Sequence, residues 1–304
     1  MNNQSNFRSV LPISSLLALI MACPLLAAGK DSGLPQAEME EIIKSKGEVT
    51  DGVLQIELAR KDIGDVKGPR GITMTPDFGV GGELLFQALP DGKAFLNGDC
   101  ALRESEVNPF ISALLENGIV PQAFHQHMPS DPQIWFVHFR GQGDPLKLAR
   151  SMKMALAKTT IPFPQEPEKD PKSPLDSERL AKILHGKASV GGGGVVTVWI
   201  YRKDKITVNG IEVNPHANVS TNIVFKPIDQ GPRAEVIPDF AMTAPQVTPV
   251  MALMATKLDW YQGCLYNQET AEKPQLYFDH MVKVGDAYEL AQEIRQGLDL
   301  TVAE

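Results

Sequence analysis

The sequence predicts an α+β fold made of two tandem repeats, each an antiparallel sheet with helices on one face. Three observations support this class. Blocks of residues recur in one order in both halves of the chain. The first half alternates short strand-like runs with longer helical runs. A proline-rich segment separates the halves, and the content of 43% hydrophobic and 22% charged residues is typical of a globular protein with a buried core.

The duplication is visible as a series of matched blocks. Arg60-Lys61-Asp62 recurs as Arg202-Lys203-Asp204. Later matches keep the same order: Asp99 with Asp239, Pro109 with Pro249, Pro132 with Pro274, His138 with His280 and Gly143 with Gly285. So many matches in one order indicate a duplicated unit. We therefore assign residues 34–160 to the first repeat, 161–174 to an exposed Pro-rich linker and 175–304 to a second, degenerate repeat.

The first repeat begins with a helix and three strands. A helix over 35–46 has proline in its first turn and a glycine after its end. The run 53–58 alternates as a strand does. Strands over 83–89 and 93–97 form a hairpin around a Pro-Asp-Gly turn, and Gly98 is expected to break the second of them.

The rest of the repeat adds two helices and a second hairpin. A helix over 104–117 carries apolar residues at the spacing of one buried face. Strands over 120–128 and 133–139 follow, and a last helix covers 144–158. The order strand, helix, strand, strand, helix favours an antiparallel layer of the ferredoxin-like kind, with helices on one face.

The N-terminus predicts export. Arg8 precedes the uncharged apolar stretch 16–26, which is too short to span a bilayer comfortably. This pattern indicates a signal peptide over residues 1–28, with cleavage after Ala28. The alternative is lipidation at Cys23, because residues 20–23 have the outline of a lipobox. We expect a periplasmic or secreted protein, and we favour soluble export over a lipoprotein.

Charge and cysteine content restrict the partners. The net charge of −8 argues against sequence-independent binding to nucleic acid or acidic lipid. No transmembrane segment is expected after the N-terminus. Cys100 and Cys264 belong to no CxxC pair, and we expect two small buried apolar side chains. The predicted partner is a metal ion or a small molecule.

Three of the six histidines fall in one predicted hairpin, His125 and His127 on its first strand and His138 on its second. Residues two apart leave the same face of a strand. A two-residue loop at Asp131-Pro132 places His138 on that face, directly across from His125. The three imidazoles then converge on one divalent transition metal, Zn, Cu, Ni or Fe. Half-buried structural histidines are the alternative.

Two carboxylates are candidates to complete this site. Asp99 ends the strand before the helix at 104, and Glu106 lies in the first turn of that helix. Either is a candidate fourth ligand or general base, although a carboxylate at a helix start more often interacts with the helix dipole. The second repeat has Leu265, Asn267 and His280 at the positions matching the three histidines. We therefore expect the second copy to have lost the site.

The first repeat contains the runs Asn97-Gly98-Asp99, Glu106-Val107-Asn108-Pro109, His125-Gln126-His127-Met128 and Trp135-Phe136-Val137-His138-Phe139. These runs resemble the bacterial LppY/LpqO family, exported proteins and lipoproteins of unassigned function. The usual family motif is His-Asn-His followed by a Met-His-Phe strand, so Gln126 and Val137 depart from it. The resemblance covers most of the first repeat and, more weakly, the second. It implies export and a duplicated domain, and it implies no reaction.

Three functions fit these observations. The leading hypothesis is an exported protein that binds a transition metal through His125, His127 and His138 in a binding or accessory role. The first alternative is a metal-dependent hydrolase of the cell envelope, with Glu106 or Asp99 as general base. The second alternative is a non-catalytic envelope interaction module in which the histidines are structural.

Overall fold

The computed structural model describes Met1 and residues 31–303. The predicted signal peptide over 1–28 and the alternative anchor at Cys23 lie outside the described residues, apart from Met1. The elements of the first half are α1 Gln36–Ile43, β1 Glu48–Thr50, β2 Val53–Glu57, β3 Val66–Lys67, β4 Thr73–Met74, β5 Gly82–Ala88, β6 Ala94–Leu102, α2 Glu104–Glu116, β7 Val120–His125, β8 Trp135–Gly143 and α3 Pro145–Leu156.

The second half repeats this series. Its elements are α4 Ser177–Leu184, β9 Lys187–Val190, β10 Val196–Ile200, β11 Thr207–Val208, β12 Ile211–Glu212, β13 Thr221–Pro227, β14 Arg233–Thr243, α5 Ala244–Thr256, β15 Tyr261–Tyr266, β16 Glu272–Lys273, β17 Leu276–Asp286 and α6 Ala287–Leu298. Among the described residues, no helix is long and apolar enough to cross a membrane.

Each half builds a six-stranded antiparallel sheet. The strand orders are β1-β2-β5-β6-β8-β7 and β9-β10-β13-β14-β17-β15, which correspond strand for strand. In each sheet a helix, α2 or α5, leads from a central strand to the edge strand, and a later strand, β8 or β17, returns between them. This is the split β-α-β arrangement of ferredoxin-like folds, except that the remaining neighbour, β5 or β13, precedes it in the chain. The predicted α+β class and duplication are confirmed.

The helices cover one face of each sheet, and the opposite faces meet. Apolar residues of α1, α2 and α3 form one core with the first sheet, and those of α4, α5 and α6 form another with the second sheet. Side chains from both halves share two further clusters. Phe78 and Phe136 accompany Ile237 and Val282 in one of them, and Phe95 accompanies Phe278 in the other. The interface between the sheets is therefore a buried layer that both repeats build.

Gly98 does not break its strand, contrary to the prediction. Strand β6 continues through Gly98 to Leu102. A Cβ atom at Gly98 would overlap the carbonyl oxygen of Glu83 and lie 3.1 Å from the Phe139 ring. The glycine therefore allows the neighbouring strand and an aromatic ring to approach closely, which is a role of glycine inside strands.

The repeated Arg-Lys-Asp block holds a buried arginine in each half. The Arg60 guanidinium is fully buried and donates to Asp62, to the carbonyl of Ala101 and to Glu106. Arg202 donates to Asp204 and, at 2.7 Å, to the carbonyl of Ala241. Each arginine thus connects the segment that follows β2 or β10 to the C-terminal end of β6 or β14. The Arg-Lys-Asp block therefore has a structural role.

The linker is irregular but only partly exposed. The described structure places no helix or strand between α3 and α4. Ile161 and Gln165 are nevertheless buried. The Gln165 side chain accepts a hydrogen bond from the Ala59 nitrogen at 2.9 Å and donates to the Ala59 carbonyl at 3.0 Å. The expectation of an exposed linker was therefore wrong at these positions, because Gln165 pairs backbone groups beyond the end of β2.

Candidate metal centre

Three histidines converge at the tip of the β7–β8 hairpin. One ring nitrogen from each of His125, His127 and His138 lies within 4.8 Å of the other two. The ring centres of His125 and His138 are 5.1 Å apart and nearly parallel, and His127 lies 5.1 Å from His125. Imidazole nitrogens on one tetrahedral ion are about 3.3 Å apart, so small side-chain rotations would bring these three nitrogens to the spacing of metal ligands.

The register that brings them together differs from the prediction. His125 pairs with Phe136, and Ala123 pairs with His138, so His125 and His138 are two residues away from direct opposition. The predicted common face is correct, but the two-residue turn is wrong. The backbone of Asp131 pairs instead with Lys67 at 2.8 and 2.9 Å, and the hairpin connection runs over 126–134. His127 reaches the cluster from this connection, beyond the end of β7.

The imidazoles are withdrawn from water and lack hydrogen bonds. Both ring nitrogens of His125 and the Nε2 atoms of His127 and His138 have no hydrogen-bond partner among the described residues. Burial lowers the pKa of His125 to about 4. Burial, together with the neighbouring histidines, lowers the pKa of His127 and His138 well below the usual value. Neutral imidazoles with free lone pairs are the form that binds a metal, so this donor set fits a divalent transition metal.

The second repeat supplies part of the wall around the cluster. The Tyr266 ring stacks on His125 with centres 3.8 Å apart. His127 stacks on Phe136 at 3.5 Å and on His280 at 3.8 Å. Two rings cannot share one face of an imidazole, so His127 lies between Phe136 and His280. The second copy therefore packs against the cluster as a structural partner, although it carries only one of the three matching histidines.

The structure also corrects the match between the repeats at this tip. Tyr266 pairs with Phe278 as His125 pairs with Phe136, and Cys264 pairs with His280 as Ala123 pairs with His138. The counterpart of His125 is therefore Tyr266 and not Leu265. A shift of one residue moves a side chain to the opposite face of the strand, and Leu265 is in fact exposed.

The cluster adjoins a cavity of about 220 Å³ between the two sheets. A row of in-register neighbours crosses the first sheet: Glu57, Glu83, Asp99 and His138 on β2, β5, β6 and β8. The corresponding row of the second sheet is Trp199, Asn222, Asp239 and His280. The repeats therefore share a cross-strand Asp–His pair, and both pairs line the cavity.

Only one of the two candidate carboxylates belongs to this site. Asp99 lines the cavity, and burial raises its pKa to about 7. Glu106 instead accepts hydrogen bonds at 2.8 Å from the backbone nitrogens of Arg103 and Thr160, and it pairs with Arg60. Burial alone would raise the pKa of Glu106, but these hydrogen bonds lower it below the usual value. Glu106 therefore caps α2 and neutralises Arg60.

Sequence reasoning missed several residues of the site. Asp239 and His280 were visible only as repeat matches of Asp99 and His138, and that correspondence is the signal that could have placed them in the site. Glu83 is a strand residue without a local motif, and Tyr266 follows a β-bulge that shifts the match by one residue. Neither carried a signal that identified it.

The fold and the site define a duplicated α+β protein with a candidate metal centre between its repeats. A family model described as "Domain of Unknown Function (DUF1259)" matches residues 37–158 and again residues 178–300. The chain belongs to this family, and the two matches coincide with the two sheets. This match supports the predicted duplicated domain. It does not confirm the predicted assignment to the LppY/LpqO family. Comparisons with curated proteins and with solved structures find no match.

Proposed function

We propose that this protein binds one divalent transition metal through His125, His127 and His138. The observation that supports this most is the convergence of three imidazoles, whose ligand nitrogens lie within 4.8 Å of one another. Four of their ring nitrogens are buried without a hydrogen-bond partner among the described residues. Nitrogen donors suit Zn, Cu, Ni or Fe, whereas Mg and Ca prefer oxygen ligands.

The surrounding residues orient the donors. Phe136 and His280 hold the His127 ring between them, and Tyr266 covers one face of His125. Rings held in this way lose little side-chain entropy when a metal binds. A metal held by these three histidines would supply Lewis acidity to a molecule in the adjoining cavity.

The test is elemental analysis of the purified protein after exposure to a mixture of divalent ions. We expect about one equivalent of a single metal in the wild type and none in His125→Ala/His127→Ala. His185→Asn is the control, because His185 is an exposed histidine in the left-handed region, which asparagine tolerates. A double variant that keeps its metal would contradict the proposal.

A metal-dependent hydrolase is the second candidate function, and the position of Asp99 favours it. Asp99 is the in-register neighbour of His138 and lines the cavity. Its carboxylate would accept a proton from the attacking water, the role of a general base. Asp99→Asn is then expected to abolish hydrolysis of ester or amide substrates while metal content stays unchanged. Retained hydrolysis in this variant would exclude Asp99 as the base.

Export is also part of this proposal. The apolar stretch 16–26 after Arg8 supports a signal peptide over residues 1–28 and a periplasmic or secreted location. Mass spectrometry of the mature N-terminus separates the alternatives. A start at Gly29 supports cleavage after Ala28, and an acylated Cys23 supports a lipoprotein. A chain that still begins at Met1 contradicts both.

A further inference from the structure

The cavity beside the histidine cluster has a wall rich in carboxylates. Glu57, Glu83 and Asp99 come from three adjacent strands of the first sheet, Asp77 comes from the loop before β5, and Asp239 comes from the second sheet. Along the row, Glu57 is exposed, Glu83 is half-buried and Asp99 is buried. The carboxylates thus lead from the mouth of the cavity toward the histidines. Among the described residues that line it, none is Lys or Arg.

Asp239 provides an independent sign of a ligand. Its side chain is buried with 4% exposure, and Oδ1 has no hydrogen-bond partner among the described residues. The Nδ1 atom of His280 lies 3.6 Å from this oxygen, which is too long for a hydrogen bond. A buried carboxylate oxygen without a partner is costly, so Oδ1 marks a position for a donor that enters the cavity.

The carboxylates do not converge on a point the size of an ion. Within the described part of the chain, the histidine cluster is the only set of three or more His, Cys, Asp or Glu ligand atoms that lie within 4.8 Å of one another. The carboxylates instead surround a volume of about 220 Å³. Because a cavity of about 150 Å³ admits benzene, this one has room for a molecule of up to roughly ten non-hydrogen atoms.

The lining also indicates the charge and shape of this molecule. Burial and the neighbouring carboxyl groups of Asp99, Glu57 and Asp239 raise the pKa of Glu83 to about 8, so its charge depends on what binds beside it. A cation would favour the ionised form of these carboxyl groups and pair with it, whereas an anion would meet them with no Lys or Arg among the described lining residues to pair with it. Met128, Phe136, Val224 and Ile237 add apolar surface to the lining, beside polar groups that include Asn218 and Asn222, and this apolar part suits a compact hydrocarbon skeleton.

We infer that this pocket binds a small organic cation, an amine on a compact hydrocarbon skeleton, beside the histidine cluster. The inference rests on the proposed function only where it places the molecule beside a bound metal. Binding of the molecule itself does not require the metal. The charge preference of the pocket is a property of the metal-free chain, so it is tested there.

The first experiment compares ligands of equal shape and different charge. Cyclohexylammonium, cyclohexanol and cyclohexanecarboxylate are titrated at pH 7 into the metal-free full chain, with binding followed by calorimetry. The ammonium is expected to bind at least about tenfold more tightly than the alcohol, and the carboxylate is expected not to bind. Equal affinities, a preference for the carboxylate, or no binding of the ammonium overturns the inference.

The second experiment removes single carboxyl groups from opposite walls. Glu83→Gln and Asp239→Asn are each expected to weaken ammonium binding by about three- to tenfold and to leave alcohol binding unchanged. Glu116→Gln and Asp65→Asn make the same substitutions at exposed positions and are expected to bind like the wild type. Thermal unfolding verifies that each variant is folded. Unchanged ammonium binding in both pocket variants overturns the inference.

Metal analysis of the same preparations separates this inference from the proposed function. One equivalent of metal without a charge preference overturns the inference and leaves the proposed function standing. A charge preference without bound metal overturns the proposed function and leaves the inference standing. A second equivalent of metal that disappears in Glu83→Gln and Asp239→Asn would assign the carboxylates to an inorganic ion, and it too would overturn the inference.

Discussion

The two repeats can be compared strand by strand, because their sheets have the same order and their buried arginines and Asp–His pairs occupy matching positions. They differ at the hairpin tip. The first repeat has His125 where the second has Tyr266, and the second has no histidine between 261 and 275 to correspond to His127. Duplication therefore preserved the scaffold, while one repeat carries the three converging donors and the other supplies rings that pack against them.

The largest expected difference between the repeats concerns the buried arginines. Arg60→Leu is expected to lower the free energy of unfolding by about 3–5 kcal/mol, because Asp62 and Glu106 lose their buried partner. Arg202→Leu should cost only about 1–3 kcal/mol, since Asp204 is partly exposed and a neutral Gln246 stands where Glu106 does.

Urea denaturation of the two variants measures this difference. The midpoint should shift further for Arg60→Leu while the slope stays the same, which marks a change of stability alone. Equal losses in the two halves would mean that Glu106 adds nothing to the Arg60 interaction.

A smaller effect is expected at Asp279, whose counterpart in the first repeat is Val137. Asp279 is fully buried, and neither carboxylate oxygen has a hydrogen-bond partner among the described residues. Burial raises its pKa to about 7. The unfolded chain releases this proton near pH 4, so wild-type stability falls as the pH rises from there through 7. Asp279→Val should therefore be stabilising, with a gain that grows by about 3 kcal/mol between pH 4 and pH 8.

Chemical denaturation of Asp279→Val and the wild type across this pH range provides the measurement. Asp229→Val, at an exposed turn position where Asp229 accepts a backbone hydrogen bond, is not expected to gain stability with pH. A gain at Asp279 that is constant with pH would show that the carboxyl keeps an ordinary pKa.

The stability that depends on the close approach of strands is tested at Gly98, whose counterpart in the second repeat is Pro238. Both occupy the same register, opposite Leu84 and Ile223. Gly98→Ala is expected to cost about 1–3 kcal/mol, since the added methyl group meets the Glu83 carbonyl. Gly191→Ala is the control, because its Cβ would meet nothing closer than 3.9 Å. Thermal unfolding compares them, and equal midpoints would show that the first sheet can adjust around the methyl group.

The smallest expected effect is on metal affinity. Tyr266→Leu removes the ring that stacks on His125 at 3.8 Å, and we expect about a tenfold loss of affinity because the imidazole is less well oriented. Tyr266→Phe keeps the ring and should bind like the wild type. Competition with a chromophoric chelator measures both. If Tyr266→Leu binds as tightly as Tyr266→Phe, the ring has no positioning role.

Periodicity and local punctuation predicted much of the fold. The helix expected over 104–117 is observed at Glu104–Glu116, and the helix expected over 144–158 is observed at Pro145–Leu156. The matched blocks predicted the duplication, and the two-residue spacing correctly placed the histidines on one face. These features depend on interactions between residues that are near one another in the chain, so a single sequence contains them.

The sequence by itself thus determined the repeats, the helices and the three histidines, because local spacing specifies them. Only the tertiary structure decided that Asp99 and not Glu106 faces the cavity. It also decided that Glu83, Asp239, Tyr266 and His280 line the same cavity. It also decided the hairpin register, through the pairing of Asp131 with Lys67. Such contacts join residues that are far apart in the chain, and they depend on strand register, where a shift of one position reverses the face of every side chain.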